Sequence, residues 1–273
     1  LIGSNRGRKM TRHKPLLGRV AIVLLICLLL PLAVAACSGG AAPASAPAQD
    51  TATSTPAILR VGWPGSPDTL NPGTGILAEA YTIYSLVYDT LFTLQLDGTY
   101  KLNAAESYEV SDDGKVWTFK IPTGVKFHDG QPLTAKDVAF SLNFYKAHED
   151  FPYLNFYTLA FESIEAPDDT TVVLTLTEAI PNLESQLLAL YILPEHIWGQ
   201  YTEGTAAAEY ENPEMIGSGP FKLQEYQQNE FVHLVANPDH RLTPPKIDEV
   251  IFQTFGNLDA LVQALVTGQV DMI

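Results

Sequence analysis

The end of the chain carries a strand pattern, a helix pattern and a second strand pattern in direct succession, and this order constrains the fold more than any other feature. Val250–Phe255 alternates like a half-buried strand, residues 258–267 repeat apolar side chains at helical spacing, and Val270 opens another strand pattern. Asn257 is a typical helix cap and Gly268 a typical helix end. Strands joined by a helical crossover lie parallel in one sheet, so the sequence predicts an α/β fold.

The chain between residue 58 and this unit mixes helix patterns with hairpins. Thr134 and Asp137, three residues apart, form a capping-box pattern that predicts the start of a helix. Alternation and helical spacing predict further elements: strands at Ile58–Trp63, Leu94–Leu96 and Trp117–Ile121, a helix over Ile76–Phe92, and hairpins over Phe161–Leu176 and Phe221–Ala236.

The amino terminus has the order of an export signal. Six Lys and Arg residues lie within residues 6–19, and Val20–Ala36 carries no charge. The apolar run Val20–Leu30 is shorter than the roughly 20 residues of a membrane-spanning helix, and Pro31 follows it directly. An export signal is therefore favoured over a permanent span. We interpret residues 1–36 as a signal peptide, with translation starting at Met10.

A cysteine follows the predicted signal. Val34-Ala35-Ala36-Cys37 resembles the lipobox of bacterial lipoproteins, in which the cysteine accepts a diacylglycerol and becomes the first residue after cleavage. Residues 37–57 are almost all Ser, Gly, Ala, Pro and Thr, a composition that cannot bury enough apolar surface to order itself. We therefore expect an extracytoplasmic protein that is anchored to the membrane by a lipid at Cys37 and a flexible linker.

Charge and cysteine content exclude several classes of protein. The signal holds 6 of the 16 Lys and Arg residues and none of the 31 Asp and Glu residues, so the remainder has a formal charge of −21. Nucleic-acid binding is excluded, because it needs basic surface. Cys27 leaves with the signal, and lipid occupies the second cysteine, so no disulfide or cysteine-based metal site can form. We expect a monomer without a metal or cofactor.

Six segments together carry a recognisable pattern. They are Ser66-Pro67-Asp68-Thr69-Leu70-Asn71-Pro72, residues 105–114, residues 124–138, Gly217-Ser218-Gly219-Pro220-Phe221, Ala236-Asn237-Pro238-Asp239 and Gly268-Gln269-Val270-Asp271. In this order they resemble family 5 of the bacterial solute-binding proteins, which serves importers of peptides, nickel and some oligosaccharides. Two positions depart from the family pattern: Ile121-Pro122-Thr123 replaces Leu-Arg and a variable residue, and His240 stands where Tyr is common.

The resemblance implies a fold and a function. The fold would be a periplasmic-binding-protein-like type II lobe, with a mixed sheet, flanking helices and an inserted α+β subdomain. Residues 58–96 and 201–273 would form lobe I and residues 97–200 the insertion. The sequence ends inside a predicted strand, so we expect a second lobe beyond Ile273. Such a protein captures a small solute and delivers it to the permease subunits of an ABC importer. Among the solutes of this family, we expect this chain to bind a peptide, with an oligosaccharide or a nickel complex as the alternatives.

Ligands of open α/β sheets lie beyond the carboxyl ends of the strands, and the first strand ends at Trp63. We expect Trp63 to stack on the ligand and the backbone of Gly65 and Ser66 to hydrogen-bond it, with core packing of Trp63 as the alternative. Tyr81 would face the same rim, unless it is an ordinary packing tyrosine. Ser218-Gly219 would shape the edge between the lobes, unless Gly219 belongs only to a turn.

Other candidate chemistry is weak. We interpret His128-Asp129-Gly130 as a hairpin turn rather than half of a catalytic pair. His148-Glu149-Asp150 is interpreted as a solvated helix end, because neighbouring helical positions point in different directions and cannot share a metal. A secreted hydrolase stays an alternative that a substrate panel would reveal. A sensor or chaperone lipoprotein is a second alternative, which neighbouring permease and ATPase genes would argue against.

The lipobox pattern predicts that Cys37 is the acylated residue. Replacing Cys37 with Ser in a bacterial host should abolish metabolic labelling by palmitate and release the protein from the membrane fraction, because serine offers no thiol to the lipid. Labelling that persists in the variant would show that Cys37 is not the acylated residue.

Overall fold

The computed structural model describes residues 55–242 and 244–273, so the predicted signal, Cys37 and nearly all of the linker lie outside the described residues. None of the helices in the described part of the chain is long and apolar enough to cross a membrane. In chain order the elements are β1 (Ile58–Trp63), α1 (Ala78–Val87), β2 (Phe92–Leu94), β3 (Tyr100–Leu102), β4 (Ser107–Val110), β5 (Val116–Lys120), α2 (Ala135–Ala147), α3 (Pro152–Phe156), β6 (Phe161–Asp168), β7 (Thr171–Leu176), α4 (Leu183–Leu187), α5 (Glu195–Trp198), α6 (Ala206–Glu209), β8 (Phe221–Gln227), β9 (Phe231–Ala236), β10 (Glu249–Thr254) and α7 (Leu258–Val266).

The first sheet is mixed and has the strand order β1-β10-β9-β8. β1 and β10 are parallel, whereas β10, β9 and β8 pair antiparallel. The other side of β1 also has a parallel partner, because Val61 bridges to Met272 and the Gly62 N–H donates to the Met272 carbonyl at 2.8 Å. β10, α7 and this last segment therefore form the predicted strand–helix–strand unit, although the second strand is reduced to a bridge.

The caps of α7 explain why the crossover helix has these limits. The Asn257 side chain accepts the Ala260 N–H at 2.8 Å, which satisfies a donor that the first turn leaves free. At the other end, Gly268 adopts a φ of +74°, a conformation that a residue with a side chain rarely takes. Leu261 and Ala264 are buried, so one face of the helix packs on the sheet.

The second sheet is antiparallel, with the order β4-β5-β7-β6, and α2 packs on β6 and β7. α2 begins with the predicted capping box, because the Asp137 carboxylate accepts the Thr134 N–H at 2.8 Å while the Thr134 hydroxyl accepts from the backbone. Phe119 from this sheet and Val232 from the first sheet belong to one hydrophobic core cluster.

α1 is shorter than the helix predicted over Ile76–Phe92. Before its first residue, the Asp68 carboxylate accepts the Ile76 and Leu77 N–H groups, which fixes an extended entry. The carbonyl of Val87, the last residue of α1, accepts the Gly219 N–H at 2.9 Å, and the chain becomes extended at Tyr88. Both limits come from residues outside the helix, one of them distant in sequence, so helical spacing could not reveal them.

A buried carboxylate holds the end of α1 against two other segments. Asp89 is 5% exposed, and its Oδ2 accepts the Ser218 hydroxyl at 2.9 Å. Its Oδ1 accepts the Asn103 side-chain amide at 3.1 Å and lies 3.3 Å from His240 Nε2. Burying a charge is costly unless donors replace its water. Asp89 therefore joins the helix end to the 217–219 loop, to the segment after β3 and to the loop after β9.

The 217–219 loop reaches this position because it has two glycines. A Cβ on Gly217 would lie 2.1 Å from the Val87 carbonyl oxygen, and a Cβ on Gly219 would lie 2.7 Å from it. No side chain fits at such distances. The two glycines permit the close approach that the Gly219–Val87 hydrogen bond needs.

His128 lies in the turn between Lys126 and Pro132, which follows β5, and binds this turn to the same loop. Its Nε2 lies 3.0 Å from the Gly219 carbonyl, and the Gly217 N–H points at its Nδ1 at 3.3 Å. This pattern fits the neutral ring with its proton on Nε2. Burial lowers the pKa of His128 to about 4, and the charge of Lys222 acts in the same direction.

We predict that replacing Asp89 with Ala lowers the free energy of unfolding by about 3 kcal/mol, because buried donors lose their acceptor. Urea unfolding of the purified protein measures this. Asp112→Ala provides the matched control, since Asp112 is exposed and should shift stability by less than about 0.5 kcal/mol. Equal midpoints for the two variants would contradict the structural role of Asp89.

His128 predicts a pH dependence of stability. The unfolded ring has a pKa of about 6.5, so between pH 6.5 and pH 4 the unfolded chain binds a proton that the folded chain does not. The contribution is complete above pH 6.5 and is lost as the pH falls towards 4, by up to about 3 kcal/mol. Urea unfolding at several pH values should show this loss in the parent protein and a shallower one in His128→Gln. Identical pH profiles would show that His128 does not carry the effect.

Candidate functional site

The carboxyl ends of β1 and β10 meet at one edge of the first sheet, where Trp63 pairs with Thr254. The loop that leaves β1 is held at this edge. The Thr254 hydroxyl donates to the Gly65 carbonyl at 2.9 Å, and the Asn229 N–H, from the β8–β9 turn, donates to the Ser66 hydroxyl oxygen at 3.1 Å. Gly65 and Ser66 thus form a fixed rim, and their contact with a ligand stays a prediction.

Trp63 lies at this edge but faces the core. Its side chain is 9% exposed and stacks on Phe252, with ring centroids 4.5 Å apart. The indole N–H is buried and has no hydrogen-bond partner within residues 55–242 and 244–273. The geometry therefore fits the core-packing alternative, and ligand stacking by Trp63 remains a prediction.

Tyr81 stands on the first turn of α1, which contacts the same rim. A Cβ added to Gly65 would lie 2.1 Å from the Glu79 carboxylate, so the helix start and the loop after β1 touch. The Tyr81 hydroxyl donates to the Gly75 carbonyl at 3.1 Å, and its ring meets Tyr84 edge-on. The structure thus brings the 63–66 loop and Tyr81 to one edge.

Several large apolar side chains before α1 and around α3 are exposed, and they were not identified from the sequence. Burial raises the pKa of Tyr81, and the nearby Tyr153 and Tyr157, within and just after α3, raise it further. The exposed apolar members are Ile76, Leu77, Tyr153, Phe156 and Leu159, and with Tyr81 they are named the aromatic surface.

The aromatic surface is held by a buried anchor. Phe151, which precedes α3, is fully buried, and a Cβ on Gly73 would lie 2.2 Å from its ring. The loop before α1 and the segment around α3 therefore pack directly against each other. The sequence signal was the density of aromatic residues over 151–157, which follows no helix or strand period.

Ser218 and Gly219 lie elsewhere, at the carboxyl end of α1. The Ser218 side chain is 2% exposed with its hydroxyl engaged by Asp89, and the Gly219 backbone is bonded to Val87. A helical rise of about 1.5 Å per residue puts Val87 about 9 Å along the axis from Tyr81. The structure does not bring these two residues to the rim, and a ligand-edge role for them stays a prediction.

The remaining sequence candidates have structural explanations. Gly130 closes the predicted turn with a φ of +89° between Lys126 and Pro132. The interpretation of His148 as part of a solvated helix end is wrong, because the residue is 4% exposed and its ring packs against that of Phe144, with centroids 4.2 Å apart. Aromatic neighbours bury it where sequence suggested only polarity. In the described residues, no group of three His, Cys, Asp or Glu side chains could hold a metal ion.

Comparison with known proteins gives a consistent family. Residues 99–273 match the family model described as "Bacterial extracellular solute-binding proteins, family 5 Middle". A putative ABC transporter peptide-binding protein of Brucella ovis is 34% identical over 167 residues, which is 61% of this chain and 32% of that protein. The oligopeptide-binding protein AppA of Bacillus subtilis is 29% identical over 270 residues, covering 96% of this chain and 48% of AppA.

Solved structures show the same fold. AppA from Bacillus subtilis in complex with a nonapeptide aligns with a TM-score of 0.71 and 30% identity, over 79% of this chain and 44% of that one. AgaA from A. tumefacien R10, in complex with agropinic acid, aligns with a TM-score of 0.71 and 28% identity, over 78% and 43%. The chain therefore has the type II periplasmic-binding-protein fold. It spans less than half the length of these relatives.

Proposed function

Because the chain belongs to family 5 of the bacterial extracellular solute-binding proteins, we propose that it captures a small peptide for an ABC importer. Its relatives are binding proteins of transporters rather than enzymes, and peptide binding is the function named for both of the sequence relatives above. Beyond membership of the family, the proposal names the solute class and states that the solute is delivered to a membrane permease.

The aromatic surface is the observation that supports a peptide as solute. Tyr153, Phe156 and Leu159 are 54%, 66% and 70% exposed, which is unusual for neighbouring large apolar side chains. Tyr153 lies near Tyr81, whose helix turn contacts the rim at the edge where the parallel strands end, and open α/β sheets bind ligands at such an edge. Aromatic rings offer apolar area and stacking to the side chains of a peptide, while the rim supplies backbone hydrogen bonds.

The division into a lobe and an insertion is also a proposal. The strands of the first sheet come from residues 58–63 and 221–254, and the second sheet lies within residues 107–176. This arrangement supports lobe I over 58–96 and 201–273 with an insertion over 97–200. The further contacts of a closed binding cleft would come from a second lobe.

Anchoring and location complete the proposal. The proteins of this family are extracellular by description, and the order of basic, apolar and small residues before Cys37 supports a lipid anchor on this chain. A monomer on a flexible linker could then reach the permease from the membrane surface.

A second candidate solute class comes from one structural relative. AgaA binds agropinic acid with a similar fold, so a small organic acid is an alternative solute for this chain. The acidic charge of the mature chain disfavours an anionic solute, because like charges repel on approach. A hydrolase remains the alternative from another class, and peptide cleavage during binding assays would reveal it.

We predict that Phe156→Ala weakens the binding of a Phe-rich pentapeptide by about 1 kcal/mol, the loss of one exposed aromatic contact. Isothermal titration calorimetry on the purified protein measures the affinity. Leu96→Ala is the matched control, because Leu96 is a fully exposed apolar residue in the β2–β3 turn.

Leu96→Ala should bind the Phe-rich peptide with the affinity of the parent protein. A Gly/Ser pentapeptide should have the same affinity for the parent and for both variants. Equal affinity of all three proteins for the Phe-rich peptide would remove the aromatic surface from the solute site. Binding of agropinic acid without binding of any peptide would refute the proposed solute class.

A further inference from the structure

β8 is the edge strand of the first sheet, and one side of it has no partner. It pairs only with β9, and within the described residues no backbone hydrogen bond joins residues 222–226 to a segment on the other side. A register shift between Leu223 and Glu225 marks a bulge, a common feature of edge strands. An edge of this kind can accept an added strand from another chain.

A groove of about 820 Å³ runs along this free edge. The loop over 68–70 and the segment over 211–216 form its other walls. Four consecutive residues, Leu223–Tyr226, line it, as expected of a groove that follows the edge of a strand rather than one face of a sheet. Leu70, Ile216 and Tyr226 give it an apolar floor.

The rim of the groove is acidic. Asp68, Glu211, Glu214 and Glu225 line it and are exposed, and no Lys, Arg or His is among the lining residues. None of these carboxylates forms an ion pair within residues 55–242 and 244–273. Lys222, the cation of β8, instead donates to the His128 carbonyl at 3.4 Å.

We propose that this groove binds an extended, basic segment of a partner protein, which adds a strand to β8. The free backbone edge fits an extended chain, the apolar floor fits alternate side chains, and the carboxylates fit Lys or Arg on the rim. The seven residues of β8 span about 23 Å, so a segment of six or seven residues would fill it. The groove lies next to the aromatic surface, because Asp68 accepts the Ile76 and Leu77 N–H groups, but the two surfaces share no lining residue. The proposal does not depend on which solute is bound.

The test uses a fluorescent octapeptide of alternating Lys and Val, with fluorescence anisotropy at low salt. Two matched peptides accompany it: alternating Glu and Val, and the Lys–Val peptide with alternate backbone nitrogens methylated, which blocks strand pairing. We expect the Lys–Val peptide to bind at least tenfold more tightly than either. Its binding should also slow hydrogen exchange of the β8 amides. Comparable binding of the Glu–Val or methylated peptide would overturn the proposal.

Variants test whether the Lys–Val peptide binds in the groove, rather than by general charge attraction or at the solute site. Glu214→Gln with Glu225→Gln should weaken Lys–Val binding at least tenfold, whereas Glu162→Gln with Glu178→Gln, exposed carboxylates around the second sheet, should change it less than twofold. Phe156→Ala should leave it unchanged. An equal loss with both Gln pairs would show only nonspecific attraction, and a tenfold loss with Phe156→Ala would place the peptide on the aromatic surface. Either result would overturn the proposal.

Discussion

The buried Asp89 carboxylate, with the close contact between Val87 and Gly219 beside it, is the constraint on which the position of α1 against the first sheet depends. It collects donors from segments that are up to 151 residues away in sequence. A buried charge tolerates little displacement, because each lost donor leaves it less compensated in a medium of low dielectric. The end of α1 is therefore fixed relative to both the first sheet and the 217–219 loop.

This fixed end gives α1 a defined role in the candidate site. The carboxyl end of the helix is held by Asp89, while the amino end presents Tyr81 beside the rim of the first sheet. The aromatic surface is assembled from two parts of the chain, the helix start and α3, through the packing of Phe151 under the loop at Gly73. A surface that is packed from below and exposes apolar side chains suits the proposed solute binding, since side chains that are already ordered lose little entropy when the solute arrives.

Local patterns predicted the elements well and their limits less well. The alternation over Ile58–Trp63 gave a strand with those same bounds, and the Thr134/Asp137 box capped a helix as predicted. The site was only partly predictable: the carboxyl-edge rule led to the rim and to Tyr81, but it missed Tyr153 and Phe156. Those residues follow no period, and only tertiary packing brings Tyr153 near Tyr81 of α1.

The sequence alone determined the α/β class, the family and the expectation of export, because these follow from periodicity, short motifs and charge order that lie within a few residues of one another. Tertiary structure decided where α1 ends, that Trp63 faces the core, that His148 is buried and that Ser218 binds Asp89. The end of α1, the packing of Trp63 and the bond of Ser218 each depend on a partner far away in the chain, whereas His148 is buried by Phe144 and Phe151 nearby in sequence. Burial and hydrogen bonding are properties of pairs, and a sequence pattern describes only one member of each pair.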